Sequence, residues 1–562
     1  MTRLAKPRQQ LKSSYEVVVI GSGYGGGIAA SRMARAGRKV CVLERGKEIR
    51  PGEYPNTAVQ LLKQVQTHLP DIRLGSPTAM FDIRYNHDIN VVVGCGLGGT
   101  SLINAGVALR PDPRVFEDEH WPAEIRTDVE LERYFDIAES MLKPQTYPDH
   151  YPRLPRTDAV QRCAESLQKP FALAPIFVNF QQYENGRNQF GVEQSPCVNC
   201  GDCMSGCNYG AKNTVLMNYL PDAANNGAEI FTEISVRQIE QRGERWVVNC
   251  VDSESGSEGN GSFTIEADVV VLAAGTLGST EILLRSAEAG LRVSERLGSR
   301  FSGNGDMVGI AYNTDHEIRL VGMGEHAVDQ EKPVGPTTTE LIDLRDDNDV
   351  KESITLIAAS MPGGIASFLP PLLAAAAKLT GTDTDHSWNH KLRKLARIVQ
   401  SKLFGARTGA TLNTLDCLTM VHDDAAGQMY LDKDRLHIQW VNAGEQSTLK
   451  NGSATIARVA SILGGTFVPN PVWNEFTDHS LVTGHPLGGC PMSDNSKYGV
   501  VNHKGQLYDG RTPTSVHRGL YVMDGAVVPV SLGVNPAFTI AALAERSCYK
   551  LAQDYGWIIS YA

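Results

Sequence analysis

Several short β-branched apolar runs stand out along this chain, most of them ending in a glycine turn. Tyr15 to Ile20 (YEVVVI) has the pattern of a strand buried on both faces of a parallel sheet. It runs directly into Gly21-Ser22-Gly23-Tyr24-Gly25-Gly26, and the stretch GIAASRMARAG that follows reads as a helix. The next apolar run, Lys39 to Leu43, ends at Glu44. Strand, glycine turn, helix and strand in that order predict a βαβ unit. Ala267 to Ser286 (ADVVVLAAGTLGSTEILLRS) predicts a buried strand, an Ala-Ala-Gly turn and a helix. Asn90 to Gly106 (NVVVGCGLGGTSLINAG) carries a second dense glycine loop and predicts the start of another helix. The stretch from Arg110 to Pro196 is rich in Pro, Tyr and Asp and shows little period, while Asp252 to Ser262 (DSESGSEGNGS) predicts a solvated hairpin turn between two strands. No internal repeat is present.

A different pattern marks residues 364–410. An apolar stretch interrupted by two prolines, GIASFLPPLLAAAAKLTG, precedes His390 to Phe404, where Leu392, Leu395, Val399 and Leu403 share one helical face. Lys391, Arg393, Lys394, Arg397 and Lys402 supply charge elsewhere. Two readings follow: a helix covering a substrate pocket with its basic side solvated, or peripheral contact with an anionic membrane surface. Both imply an apolar substrate.

At about 150 residues per domain, the 562 residues predict three to four folding units, expected to merge into two interleaved domains. The 42% apolar and 21% charged content excludes a mostly disordered chain. With 53 Lys and Arg against 63 Asp and Glu, the net charge is −10, which argues against a general nucleic-acid binder. MTRLAKPRQQLKSSY has no apolar core of a secretory signal, and no run reaches the ~18 apolar residues of a spanning helix. The expected location is the cytoplasm, with peripheral contact at the inner face of the membrane as the alternative.

The first glycine turn has the form G-x-G-x-x-G. Gly21 permits the tight turn, Gly23 lets the backbone approach a pyrophosphate, and Gly26 allows close helix–strand packing. The helix N-terminus faces the phosphates, and Glu44, 23 residues beyond Gly21, can accept from ribose hydroxyls. This motif alone does not choose between FAD and NAD. The two further glycine pieces, far away in sequence, suit a long, extended cofactor.

Cys197, Cys200, Cys203 and Cys207 have the spacing C-x2-C-x2-C-x3-C of bacterial ferredoxins, with Asn208 where a proline usually follows. An iron–sulfur cluster (4Fe-4S or 3Fe-4S), a four-thiolate zinc knot or bare thiols, and a pair of disulfides are the three readings. The other seven cysteines are scattered, often inside apolar runs, as buried reduced thiols would be.

The glycine pieces, together with TGHPLGGCPM (Thr483 to Met492), GLYVMDG (Gly519 to Gly525) and GVNPAFTIAALAER (Gly533 to Arg546), resemble the glucose–methanol–choline (GMC) flavoprotein oxidoreductases, in the branch of bacterial cholesterol oxidases that bind FAD non-covalently. The resemblance covers roughly residues 14–46, 90–108, 212–300, 338–364 and 415–550. It implies an α/β fold: a Rossmann-like FAD-binding domain (14–60, 88–110, 225–305 and 470–562) interleaved with an α+β substrate or cap domain built on an antiparallel sheet (61–87, 111–224 and 306–469). The second domain would carry the cysteine loop 195–212 and the insert 364–410. By resemblance, Gly21, Gly23, Gly26 and Glu44 hold the ADP half of FAD. Gly98, Gly99, Ser101 and Asn104 line the flavin side, and the backbone of Val236 meets the adenine. Asp524 lies at the diphosphate or ribityl chain, and Asn535-Pro536 at the isoalloxazine. Some family members attach FAD through a histidine on the glycine loop; this loop has Cys95 and no histidine, which implies a dissociable flavin.

Oxidising an alcohol on flavin requires loss of the hydroxyl proton and transfer of a hydride. A neutral imidazole suits the first task, and a polar side chain beside it orients the oxygen. By resemblance these are His485 and Asn535; His479, six residues upstream, is a rival base that residue type alone does not separate. Sterol oxidases of this branch also carry a glutamate that moves a ring double bond, and alignment of ITLIAASMPGG puts Ile357 at that position, with Glu352 five residues earlier. The resemblance with this departure implies oxidation of a lipophilic, sterol- or terpenoid-like alcohol without coupled isomerisation, the electrons passing to a quinone, a cytochrome or oxygen. The alternatives are an oxygen-using sterol oxidase and an electron-transfer flavoprotein whose working part is the cysteine cluster.

Overall fold

The computed structural model describes residues 2–561 except 255–260, 384–387, 471, 475, 476 and 478. Most of the predicted hairpin turn in 252–262 lies outside the described residues.

The βαβ unit forms as its pattern dictates. Strand Ser14–Ile20 is parallel to Val40–Leu43 on one side and to Phe263–Leu272 on the other. Glu229–Phe231 extends the parallel sheet beyond Val40–Leu43, and Val516–Val522 extends it beyond Phe263–Leu272. Val17 to Val19, Cys41, Val42 and Val269 to Leu272 are fully enclosed, because helices cover both faces of such a sheet. A hairpin, Ile234–Arg242 with Arg245–Asp252, pairs antiparallel onto the first half of Phe263–Leu272. Helices Tyr24–Arg35 and Ala537–Tyr555 pack together across a buried ion pair, Arg32 reaching both oxygens of Glu545 at 2.7 Å. Tyr219 donates to the same carboxylate at 2.7 Å, so no lone buried charge remains.

The second layer is a seven-stranded sheet, antiparallel throughout, with Asp306–Tyr312, Leu415–Met420 and Ile354–Ala359 adjacent at its centre. Side chains alternate between its faces. Helix Ser447–Ile462 covers one: a Cβ on Gly309 would lie 3.1 Å from Ile456. The register Asp306↔Met420, Val308↔Leu418, Ile310↔Asp416 and Leu418↔Ile357 assigns these residues to the opposite face.

A third sheet joins Val65–His68, Phe81–Arg84 and Ile89–Gly94 to Leu481–Thr483. It crosses the boundary expected near residue 87, since hydrogen bonding runs from Phe81–Arg84 straight into Ile89–Gly94. The glycine loop after Gly94 also departs from expectation. It opens only a single 3-10 turn, Gly99–Leu102, entered through Gly96, Gly98 and Gly99 at positive φ.

The insert differs most. Its helices, Leu369–Leu379 and Trp388–Phe404, do not turn the leucine stripe toward a pocket. In the second helix Lys394 is buried, donating to Asp383 at 2.6 Å and Thr466 at 3.2 Å, while Leu392, Leu395, Val399 and Leu403 are exposed. The pocket-covering reading of that stripe is therefore corrected: polar contacts dock the helix and its apolar face points outward. Among the described residues no helix is long and apolar enough to cross a membrane.

Candidate active site

One elongated cavity runs along the C-terminal edge of the parallel sheet. It is lined by the first glycine turn, Glu44, Val236, Ala273 to Gly278, Asp524 and, at its far end, His485, Asn535 and Pro536. Crevices at this edge of doubly wound sheets are where dinucleotides bind. Gly21 has φ +94°, and a Cβ there would sit 2.3 Å from Ala273 O. On Gly26 a Cβ would be 2.1 Å from Gly21 O, so the helix packs onto the turn only with glycine there. Gly23 faces open space within the cavity wall.

Glu44 is buried at this end. Burial pushes its carboxyl above the ordinary value, against hydrogen bonds from Ser22 Oγ (2.6 Å) and Gly46 N (2.8 Å). Burial pushes Asp524 up to about 6, although its oxygens accept from Ser279 (2.5 Å), Gly275 N (2.9 Å) and Ala526 N (2.8 Å). The second glycine loop contributes Gly99, Thr100 and Asn104 to the cavity. Gly98 and Ser101 do not reach it: Gly98 N donates to Ser22 Oγ, and Ser101, fully enclosed, donates to Gly98 O at 2.6 Å. Asn104 donates to Tyr24 OH at 2.9 Å, and its buried Oδ1 has no partner within the protein. Cys95 lines the same wall with its thiol pushed up by burial to about 12, so it is held uncharged.

The far end brings His485 and Asn535 together. Strand Leu481–Thr483 delivers the turn Thr483-Gly484-His485 beside the start of strand Asp306–Tyr312. His485 Nδ1 lies 2.8 Å from Asp306 Oδ1, and His485 Nε2 lies 3.2 Å from Asn535 Nδ2. A carboxylate only accepts, so Nδ1 carries the proton; in the neutral ring Nε2 is then the lone-pair nitrogen, toward which the Asn535 amide donates. Asp306 Oδ2 also accepts from Gly484 N at 3.2 Å and lies 2.8 Å from Thr483 Oγ, which in turn accepts His485 N–H at 2.8 Å. The ring is thereby fixed in orientation and tautomer. Asn304 holds the other arm, donating to Val534 O and accepting from Leu532 N, both at 2.8 Å. Asn535 is 5% exposed, and its Oδ1 is a second buried acceptor without a protein partner. Unpartnered acceptors at Asn104 and Asn535 on one cavity wall are what a cofactor or substrate bearing N–H and O–H donors would satisfy, so the residues present fit FAD with an alcohol beside it.

His479, the rival base, pairs with Glu445 at 2.6 Å in a separate surface cleft. Glu352 is exposed at the surface, whereas Ile357 is buried on the sheet face that carries Asp306. Sequence reasoning did not single out Asp306 or Asn304: in Gly303-Asn304-Gly305-Asp306 both look like ordinary turn residues. It also passed over Arg45, Asp82, Arg84, Glu281 and Arg285, a linked ion-pair network on the cavity wall. Burial opposes ionisation of Asp82, but Arg84 and Arg45 outweigh it and hold the carboxyl well below the ordinary range.

Asp416 lies on the same sheet face as Asp306, opposite Ile310. Its Oδ1 has no partner, and burial pushes the carboxyl up to about 7. A folded value above the unfolded ~3.9 means that the native state keeps a proton the unfolded chain has lost, so stability falls as pH rises from about 4 to about 7. Asp416→Asn is expected to remove that loss. Thermal unfolding should show little change near pH 4 and a gain of about 2 °C at pH 8. An equal effect at both values would mean that titration is not the cause.

The four clustered cysteines are free thiols lining one small enclosed pocket. Buried Lys212 stands beside them, its Nζ donating to Cys203 O at 3.0 Å and Leu102 O at 3.1 Å, which ties this loop to the second glycine loop. Among the described residues no three or more His, Cys, Asp or Glu side chains are disposed to hold a metal ion, so the iron–sulfur and zinc expectations find no ligand set here. The disulfide reading is likewise not met.

Two profiles described as GMC oxidoreductase match residues 24–302 and 422–544, the second spanning both His485 and Asn535. A cholesterol oxidase of Mycobacterium tuberculosis is 28% identical over 574 residues, covering 96% of this chain and 91% of its own length. A long-chain-alcohol oxidase of Arabidopsis thaliana is 23% identical, with 96% of this chain and 67% of that one covered. The crystal structure of pyridoxine 4-oxidase from Mesorbium loti superimposes with a TM-score of 0.59 at 14% identity over 96% of this chain and 99% of that one, which establishes shared fold alone. By both profile matches, the chain belongs to the GMC oxidoreductases, FAD-dependent enzymes that oxidise alcohols.

Proposed function

We propose that this enzyme oxidises the CH–OH group of a lipophilic, sterol- or terpenoid-like alcohol to the carbonyl, without moving a double bond. The arrangement of Asp306, His485 and Asn535 supports this reading most directly. Bound FAD supplies the hydride acceptor, and its ADP half would be held by Gly21, Gly23, Gly26 and Glu44, with Val236 at the adenine. Asp524, Asn104 and Pro536 would lie along the rest of the cofactor. His485 takes the hydroxyl proton at Nε2, Asp306 balances the resulting imidazolium through Nδ1–H, and the Asn535 amide orients the substrate oxygen. Val308, Ile310, Ile357 and Leu418 share the sheet face that begins at Asp306, and an apolar face beside the base would suit a hydrocarbon skeleton better than a sugar. Ile357 cannot carry a proton, so coupled isomerisation is not expected.

The flavin is taken to be dissociable, since Cys95 is held as a thiol. Similarity to proteins named oxidases favours oxygen as electron acceptor. Without a ligand set on Cys197, Cys200, Cys203 and Cys207, no electron route through a cluster is proposed; about four irons with sulfide per chain in anaerobically purified protein would overturn that.

Anaerobic mixing of the holoenzyme with a 3β-hydroxy-5-ene sterol, a terpenoid alcohol, a long-chain primary alcohol and glucose tests the proposal. A lipophilic alcohol is expected to bleach the oxidised-flavin absorbance, and the sterol product should be the unconjugated ketone. Faster reduction by glucose than by every lipophilic alcohol would remove the substrate class, and direct formation of a conjugated enone would remove the claim about isomerisation.

A further inference from the structure

The insert is built inside out. Across the described part of helix Trp388–Phe404 the buried side chains are polar: His390 packs against Asp315, Lys394 reaches Asp383, and Ser401 donates to Thr408 O. The same helix presents Leu392, Leu395, Leu403 and Phe404 more than half exposed, and Leu372 and Leu379 of helix Leu369–Leu379 are equally bare. The two helices contact each other, so these side chains belong to one unit. A short helix, Ala58–Lys63, abuts it: a Cβ on Gly364 would lie 3.0 Å from Leu61, and its outward residues Val59 and Leu62 are both exposed. An apolar face of this extent costs solubility unless something covers it.

Charge identifies the cover. Lys378, Lys391, Arg393 and Lys402 are exposed on the two insert helices, and neither helix contains an acidic residue. The chain as a whole carries −10. Two copies meeting through this face would oppose cation to cation, whereas an anionic bilayer meets both the cations and the leucines. The net negative charge elsewhere would repel the same surface and so turn this face toward it. The face also leads inward: Ile310, on the sheet side that begins at Asp306, packs against the cluster containing Leu369 and Leu373.

We propose that helices Leu369–Leu379 and Trp388–Phe404 form a docking surface for the interface of an anionic phospholipid bilayer, lying flat with their leucines in the acyl boundary. This does not depend on which alcohol is oxidised, because binding is read without turnover. Full-length holoenzyme would be sedimented with phosphatidylglycerol vesicles and, separately, with phosphatidylcholine vesicles. Binding to the first, weakened by salt, is expected. A triple variant Leu392→Ser, Leu395→Ser, Leu403→Ser and a second, Lys391→Gln, Arg393→Gln, Lys402→Gln, should each lose about tenfold or more in partitioning while keeping flavin content and melting temperature. Wild-type protein left in the supernatant with phosphatidylglycerol would overturn the proposal. So would unchanged binding by both variants, or a wild-type dimer that the serine variant dissociates without any vesicle binding, which would assign the face to a second copy.

Discussion

His485→Ala is expected to retain its flavin and lose about a hundred- to ten-thousand-fold in the rate of anaerobic flavin reduction by alcohol, the usual worth of a positioned general base. That corresponds to about 3–5 kcal/mol of transition-state stabilisation. The physical case is local. Nε2 is the ring nitrogen whose lone pair faces Asn535, and the side chain is 18% exposed, open enough for a substrate hydroxyl to reach it. Alanine leaves the proton with water as its only acceptor. The loss should fall on the reductive half-reaction, with reoxidation of chemically reduced flavin unchanged. If the alanine variant is reduced at the wild-type rate, the proton acceptor is another group and the assignment of this site fails.

The second large effect is expected from Asp306→Asn, a near-isosteric change. The carboxylate accepts on both sides, from His485 Nδ1–H and from Gly484 N–H. An amide cannot do so. With its NH2 toward the ring it demands an acceptor at Nδ1, which moves the ring proton to Nε2 and removes the base. With its NH2 toward Gly484 it sets donor against donor. Either way the imidazolium formed on proton uptake loses its counter-charge. The comparable exchange behind the histidine of a serine protease costs about ten-thousand-fold, and a loss of about a hundredfold or more is expected here. Asp306 is a positioning residue, so the diagnostic is a fall in the maximal reduction rate with flavin content and melting temperature close to wild type. A variant that merely unfolds or sheds flavin, with normal reduction in the fraction that remains loaded, would leave Asp306 a structural role only.

What was legible beforehand follows from how locally each feature is specified. YEVVVI followed by Gly-x-Gly-x-x-Gly has one economical solution, because the turn needs positive φ at Gly21 and the helix needs no Cβ at Gly26; both conditions sit within six residues. The same holds for the strand and helix around Ala273. The cysteine spacing was equally visible, but spacing says only that a loop can bring sulfurs together. In the fold the four thiols share a pocket beside Lys212 without forming a ligand set.

Contacts between near neighbours in the chain specify the nucleotide-binding unit, the two turns that carry His485 and Asn535, and the helical period of the insert, which is why these could be read from residue order. The tertiary structure alone decided the rest. It set Asp306, 179 residues away, against the His485 ring and left His479 with Glu445. It turned Ser101 away from the cavity and Asn104 into it. It also set which way the insert faces. A helical stripe of leucines fixes an axis and not a direction, and the pairing of buried Lys394 and His390 with Asp383 and Asp315 outweighed the pull of the apolar side toward the core.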